Sequence, residues 1–155
     1  MTDVFSDALV KKAIKTTDKE VISEENGIIH LGINEEGNHI WQYHLDGDVY
    51  EKNKPPVRCD YLLLNTTKEK AFFVELKGVE EDSGPGKADE KLRHAAEQLE
   101  TSYEDIRPAI PAYAVCFRIV YKRTPRKKPS ILRKWENRAP FARKAIPSGE
   151  PDSID

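Results

Sequence analysis

Apolar and polar residues alternate along the first half of the chain in a way that predicts strands. Residues 28–33 (Ile-Ile-His-Leu-Gly-Ile) and 39–45 (His-Ile-Trp-Gln-Tyr-His-Leu) have strand-like patterns, and the turn-forming residues at 34–38 between them predict a hairpin. The segments 57–64 and 71–77 are also strongly apolar, and the polar connector that joins them is short enough for a second hairpin. The sequence therefore predicts four strands arranged as two hairpins.

A periodicity of three and four residues predicts the main helix at residues 88–106. Its apolar positions are Ala88, Leu92, Ala95, Leu99, Tyr103 and Ile106, and prolines follow at 108 and 111. The next segment, 112–121, is strongly apolar and predicts a buried strand. Shorter helices are predicted at residues 4–15 and 130–137.

The order of these elements predicts an α/β fold. A strand that follows a long helix can pair in parallel with an earlier strand, which gives a mixed central β-sheet flanked by helices. A chain of 155 residues suits a single domain, and we assign residues 1–146 to it. The composition from Pro147 onward predicts a disordered tail over residues 147–155.

Composition argues against several classes of protein. Charged residues make up 34% of the chain and hydrophobic residues 38%, and no segment approaches the roughly 20 apolar residues that a membrane-spanning helix needs. The first 15 residues lack the apolar core of a signal peptide, so we expect a cytoplasmic protein without a membrane partner. Cys59 and Cys116 lie in apolar segments and are expected to be buried thiols. No CxxC pair is present, and the histidines show no zinc-ligand spacing.

Positive charge is concentrated between Arg118 and Lys144. This segment holds eleven Lys or Arg residues and one acid, Glu136, while the remainder of the chain carries 14 cations against 26 acids. Such asymmetry indicates a polyanionic partner on one surface, although a solvated basic tail is the alternative interpretation. Trp135 can stack on a base, but packing on the core is the expectation. The cations expected to contact nucleic-acid phosphates here are Lys122, Arg123, Arg126, Lys127 and Lys128.

Candidate chemistry appears where the strand at 71–77 ends in Phe73-Val74-Glu75-Leu76-Lys77. Because side chains alternate between the faces of a strand, Glu75 and Lys77 are expected on one face and Leu76 on the other. Asp60 lies in the preceding apolar strand, where an unpaired acid is costly to bury. Two carboxylates from neighbouring strands are therefore predicted to meet.

Paired carboxylates of this kind suit a hard divalent cation. Magnesium prefers oxygen ligands, and one or two carboxylates suffice because it keeps several waters. We expect Asp60, Glu75 and the backbone carbonyl of Leu76 to be the ligands. Lys77 is expected to orient or deprotonate an attacking water, or to stabilise developing negative charge. The alternative is a plain cross-strand salt bridge between Lys77 and one of the acids.

These residues resemble the core of the PD-(D/E)xK nuclease superfamily. The resemblance rests on Arg58-Cys59-Asp60-Tyr61-Leu62-Leu63 followed by Phe72-Phe73-Val74-Glu75-Leu76-Lys77-Gly78, and it extends over about two-fifths of the chain, residues 57–121. It implies a restriction-endonuclease-like fold, in which Asp60 and Glu75 bind Mg²⁺ or Mn²⁺ and Lys77 is the catalytic lysine.

Some members of this superfamily carry a glutamine on the following helix, and Gln98 fits that place. On a helical wheel it forms a stripe with Lys87, Lys91 and His94, which can face the metal and the phosphate backbone or can be a solvated flank. Members also often have a glutamate on a helix before the aspartate. This sequence departs there, because the candidates Glu24, Glu25 and Glu51 lie in a segment that is predicted to form strands.

The sequence thus predicts a magnesium-dependent endonuclease that hydrolyses DNA phosphodiester bonds. Asp60, Glu75, Lys77 and Gln98 are its expected catalytic residues, and Lys87 and Lys91 are expected to help bind nucleic acid. A catalytically inactive relative that binds nucleic acid or protein is the alternative. A homodimer is expected only by analogy with nucleases that cut both strands.

Overall fold

The structure is a computed structural model, and it describes residues 12–52, 58–78, 87–122, 130–138 and 141–155. Its strands are β1 (Ile14–Thr16), β2 (Glu20–Glu25), β3 (Ile28–Ile33), β4 (Ile40–His44), β5 (Tyr61–Asn65), β6 (Lys70–Lys77), β7 (Ala114–Tyr121), β8 (Ala142–Pro147) and β9 (Pro151–Ser153). Helix α1 spans Lys87–Ile106 and continues into a 3₁₀ turn at Arg107–Ala109, and helix α2 spans Ser130–Glu136.

The described chain forms three layers, which confirms the predicted mixed α/β class. A six-stranded sheet in the order β1-β4-β5-β6-β7-β8 is the central layer, and a three-stranded sheet in the order β2-β3-β9 covers one of its faces. Helices α1 and α2 cover the opposite face through residues such as Leu99 and Leu132. In the central sheet, β6 pairs antiparallel with β5 and parallel with β7, as predicted for a strand that follows a long helix.

The central strand β6 explains how two cores form on one sheet. Its alternate residues Ala71 and Phe73 pack on the helix side, while Phe72, Val74 and Leu76 pack between the two sheets. Because both faces are covered, the strand is almost continuously apolar up to Glu75.

The predicted hairpin between residues 28–33 and 39–45 is wrong, although both strands exist. β3 pairs with β2 in the smaller sheet, and β4 pairs with β1 and β5 in the larger one. The β2–β3 turn is Asn26-Gly27, with positive φ at both residues, which is the usual signal of a tight hairpin. Residues 34–38 instead carry the chain from one sheet to the other, and Asn34 fixes that turn through its side-chain bonds to the Asn38 backbone.

Both predicted chain ends also differ from the structure. Residues 4–11 of the expected first helix lie outside the described residues, and its remaining end forms strand β1 instead. The predicted disordered tail at 147–155 is wrong, since β9 pairs in parallel with β3 and buries Asp152 and Ile154. Polar composition was misleading there because the charge of Asp152 is neutralised inside the protein.

Asp152 lies at the centre of a buried polar cluster between the two sheets. Its Oδ2 atom is 2.8 Å from His30 Nε2 and 2.9 Å from Arg118 Nε, and Lys144 Nζ is 3.7 Å from Oδ1. Burial alone would raise the pKa of Asp152, but the hydrogen bond from His30 and the charge of Arg118 hold it below its ordinary value. The ionised carboxylate therefore attaches β9 to both sheets.

Other parts of the fold agree with the sequence. Trp135 packs in the helix-side core, as expected, and Cys59 and Cys116 are free thiols, the first buried and the second half-buried. Within the described ranges, neither helix combines the length and the apolar character that crossing a membrane requires.

We expect Asp152→Asn to lower the free energy of unfolding by about 3 kcal/mol at pH 7, because it leaves Arg118 buried without its counter-charge. Folding lowers the pKa of Asp152 below its value in the unfolded chain. The stabilisation is therefore present at pH values above the unfolded-state pKa of Asp152, and it disappears as pH falls through the folded-state pKa of the same residue. Urea unfolding at pH 7 and at acidic pH measures both effects. A loss no larger than that of the exposed neighbour Ser153→Ala would contradict the prediction.

Candidate active site

Asp60 and Glu75 are brought together by the register of the β5–β6 hairpin. Tyr61 pairs with Val74, so the same register places Asp60 opposite Glu75 at the end of the ladder. The Leu76 amide donates to Asp60 Oδ2 at 2.8 Å, and the Asp60 amide donates to Glu75 Oε1 at 3.2 Å. The predicted meeting of the two carboxyl groups is therefore confirmed.

The expected alternation of faces along β6 is also confirmed. Val74 and Leu76 point into the layer between the sheets, while Phe73 packs beneath the helices. On that helix side, Lys77 Nζ lies 3.9 Å from Glu75 Oε2 and lines a cleft of about 440 Å³ beside α1. An acid, a second acid and an amine thus converge at the end of one strand.

Burial dominates the electrostatics of the two carboxyl groups. Asp60 is 8% exposed and Glu75 is 2% exposed. Burial raises the pKa of Glu75 well above its ordinary value, the neighbouring Asp60 raises it further, and Lys77 opposes the shift only in part. Burial likewise raises the pKa of Asp60. Ionisation of either carboxyl group is therefore less favourable here than in water.

Among the candidate fourth acids, Glu25 acts on Asp60 electrostatically. It ends β2 close enough to Asp60 that its charge contributes to raising the pKa of Asp60, although burial is the larger cause. His44 Nε2 lies 2.9 Å from Glu25 Oε2, and Lys52 Nζ lies 3.3 Å from Oε1. Glu24 and Glu51 are exposed. The acidic side of the site is thus formed by the β2–β3 hairpin rather than by a helix.

Helix α1 brings Gln98 to the start of the Asp60 strand. Gln98 is 8% exposed, and its Nε2 atom donates to the Arg58 carbonyl at 3.3 Å. Its Oε1 atom is buried and accepts no hydrogen bond from any residue that the structure describes. A buried acceptor without a donor is rare and suggests that water or a ligand completes its environment.

The rest of the predicted α1 stripe lies near the end of β6. Lys91 Nζ is 3.5 Å from the Gly78 carbonyl, and Lys91 and His94 line the cleft with Lys77. Lys87 begins the helix. The solvated-flank alternative thus describes the exposed Lys91 and His94 but does not describe the buried Gln98.

Two positioning residues were missed by the sequence reasoning. Ser102 is fully buried on α1, and its Oγ accepts a 2.8 Å hydrogen bond from the Cys59 amide. Arg58 lies 3.2 Å from Asp105 and stacks over the Tyr50 ring. The available signal for Ser102 is its position on the apolar stripe, three residues after Leu99.

The donor atoms at this site fit a hard divalent cation. In the described ranges, no group of three or more His, Cys, Asp or Glu side chains is arranged to hold a metal. Magnesium needs fewer, because it retains waters. The Leu76 amide points to Asp60, and the N–H and C=O of one strand residue point to the same edge, so the Leu76 carbonyl also faces the acids. Two carboxylates and one carbonyl thus form an all-oxygen set.

Of the cations predicted to bind phosphates, Lys122 is exposed directly after β7. Arg123, Arg126, Lys127 and Lys128 lie outside the described residues.

Comparisons with protein-family models, curated proteins and solved structures found no match for this chain.

We expect Glu75→Gln to raise the free energy of unfolding of the metal-free protein by about 1 kcal/mol or more at pH 7. Burial raises the pKa of Glu75 in the folded protein above its value in the unfolded chain. The parent protein therefore loses stability as pH rises from the unfolded-state pKa of Glu75 towards its folded-state pKa. The glutamine side chain has no charge to bury, so the variant does not show this loss. Chemical denaturation from pH 4 to pH 8 in a chelator measures the difference.

The matched control is Glu104→Gln on the exposed surface of α1, which should change stability by no more than about 0.5 kcal/mol. A substantial loss of stability in Glu75→Gln would show that the acid belongs to a satisfied structural ion pair, and would contradict our description of the site.

Proposed function

We propose that this protein is a divalent-metal-dependent endonuclease of the PD-(D/E)xK type, with a restriction-endonuclease-like fold, that hydrolyses phosphodiester bonds in DNA. The observation that carries the proposal is the pair of buried, adjoining carboxyl groups, Asp60 and Glu75, whose charge is opposed by Lys77. Buried acids with raised pKa values are frequent at catalytic sites, and here Lys77, their neighbour, lines a cleft. The 3.9 Å between Lys77 Nζ and Glu75 Oε2 is an ion-pair distance, longer than that of a charge-assisted hydrogen bond.

In this proposal Asp60 and Glu75 hold Mg²⁺ or Mn²⁺ together with the Leu76 carbonyl. The Leu76 amide fixes one oxygen of Asp60, and the Asp60 amide fixes one oxygen of Glu75, so each carboxylate has a second oxygen for the ion. When bound, the metal would supply the positive charge that acidifies the attacking water and stabilises the charge on the phosphate.

The remaining chemistry belongs to side chains of the chain itself. Lys77, at the edge of the cleft, orients the attacking water or stabilises negative charge as the new bond to phosphorus forms. Gln98 positions water or substrate through its unsatisfied Oε1 atom, while its Nε2 atom holds the backbone at Arg58. Gln98 lies one helical turn after His94, which lines the cleft together with Lys77.

The DNA backbone would follow the cationic side of the site. Lys91 and Arg93 line the Lys77 cleft, and Lys122 lies after β7. Cations of this kind bind phosphates without reading sequence and give salt-dependent affinity. We retain a cytoplasmic location and a homodimer as parts of the proposal.

The expected outcome is metal-dependent cleavage of linear, branched or single-stranded DNA by the parent protein. Asp60→Asn and Lys77→Ala should each reduce the cleavage rate by about 100-fold or more, because each removes a group that acts on the reacting atoms. Lys68→Ala is the matched control, since Lys68 is a cation at the other end of the same hairpin, and it should cleave like the parent.

Equal cleavage by all four proteins would indicate a contaminating nuclease. No cleavage by a parent protein that still binds DNA in a salt-dependent manner would support the catalytically inactive relative instead.

A further inference from the structure

A second cleft lies between α1, α2 and β7, next to the candidate active site. Its volume is about 400 Å³, within the range of pockets that bind small organic groups. Its floor is apolar and includes Ala96, Ile119 and Trp135. Its rim is charged, with cations at Arg93, Lys134 and Arg138 and carboxylates at Glu97 and Glu100.

The two clefts share one wall. Arg93 and Glu97 line the second cleft and also line the cleft that contains Lys77. These residues are four apart on α1, so they form a ridge one helical turn long, about 5.4 Å. A polyanion that places a phosphate near Lys77 therefore reaches the second cleft by crossing a single ridge.

We propose that the second cleft binds one unpaired nucleobase of a DNA strand whose neighbouring phosphate lies at Lys77. The inference rests on the proposed function and deepens it, because it names the substrate class. DNA with an unpaired base at the cleavage site is preferred, as in single strands, frayed ends or branches, because a paired base must first be extruded from the duplex.

The lining of the cleft matches this ligand in three ways. The apolar lining, in which Ala96 and Ile131 are partly exposed, suits the flat face of a base whatever its identity. The cations Arg93, Lys134 and Arg138 suit the phosphates on either side. Glu97 and Glu100 can accept hydrogen bonds from the exocyclic amino groups of adenine, cytosine or guanine.

The experiment measures affinity for two octamers of equal charge, in a chelator that prevents cleavage. One octamer is oligo-deoxyadenosine, and the other consists of abasic sugar-phosphate units. Ala96→Leu fills the floor of the cleft with a residue of similar helix propensity. Ala114→Leu is the control, because Ala114 is exposed at the opposite end of β7 from Tyr121. Circular dichroism and melting temperature establish that both variants are folded.

We expect the parent and Ala114→Leu to bind the deoxyadenosine octamer about tenfold more tightly than the abasic octamer. Ala96→Leu should lose that preference while binding the abasic octamer like the parent. Equal binding of the two octamers by the parent, or an equal loss of both in Ala96→Leu, would overturn the proposal. Because the experiment measures binding and not cleavage, it can detect a preference for bases even if the protein proves not to be a nuclease.

Discussion

Two reciprocal hydrogen bonds between Asp60 and strand β6 hold the candidate site together. One runs from the Leu76 amide to the Asp60 carboxylate, and the other runs from the Asp60 amide to the Glu75 carboxylate. They take the place of the backbone hydrogen bonds that would continue the β5–β6 pairing beyond Tyr61 and Val74, and they place the two acids side by side beneath α1. Folding therefore buries two adjoining acids whose ionisation burial disfavours, a cost typical of functional sites.

Helix α1 fixes the position of the backbone that carries Asp60. Ser102 accepts the Cys59 amide and Gln98 donates to the Arg58 carbonyl, so α1 fixes the backbone immediately before Asp60. The same helix forms walls of both clefts, and its ridge at Arg93 and Glu97 separates them. A single helix thus positions the first acid and shapes the surface along which a strand of nucleic acid would lie.

The sequence predicts the convergence of Asp60 and Glu75 better than it predicts the topology. The alternation along Phe73–Lys77 is a local pattern, and so is the β5–β6 hairpin that brings Asp60 to it, which is why both are confirmed. The smaller sheet depends on distant pairings, between β3 and β9 for example, that no local pattern indicates. Asn26-Gly27 is a local signal for the β2–β3 hairpin, whereas the turn residues at 34–38 connect strands of different sheets. The hydrogen bond from Cys59 to Ser102 depends on the docking of α1 and is invisible in the sequence.

The central claim is that Asp60 and Glu75 jointly bind one divalent ion, and titration calorimetry with Mn²⁺ at pH 7 tests it most directly. Because burial raises the pKa values of both acids, protons and Mn²⁺ compete for the same oxygens, and each proton released on binding makes the measured heat depend on the ionisation enthalpy of the buffer. The account predicts one ion per chain in the parent protein and none at this site in an Asp60→Asn, Glu75→Gln double variant. Equal binding by the two proteins, or no binding by a folded parent, would contradict it.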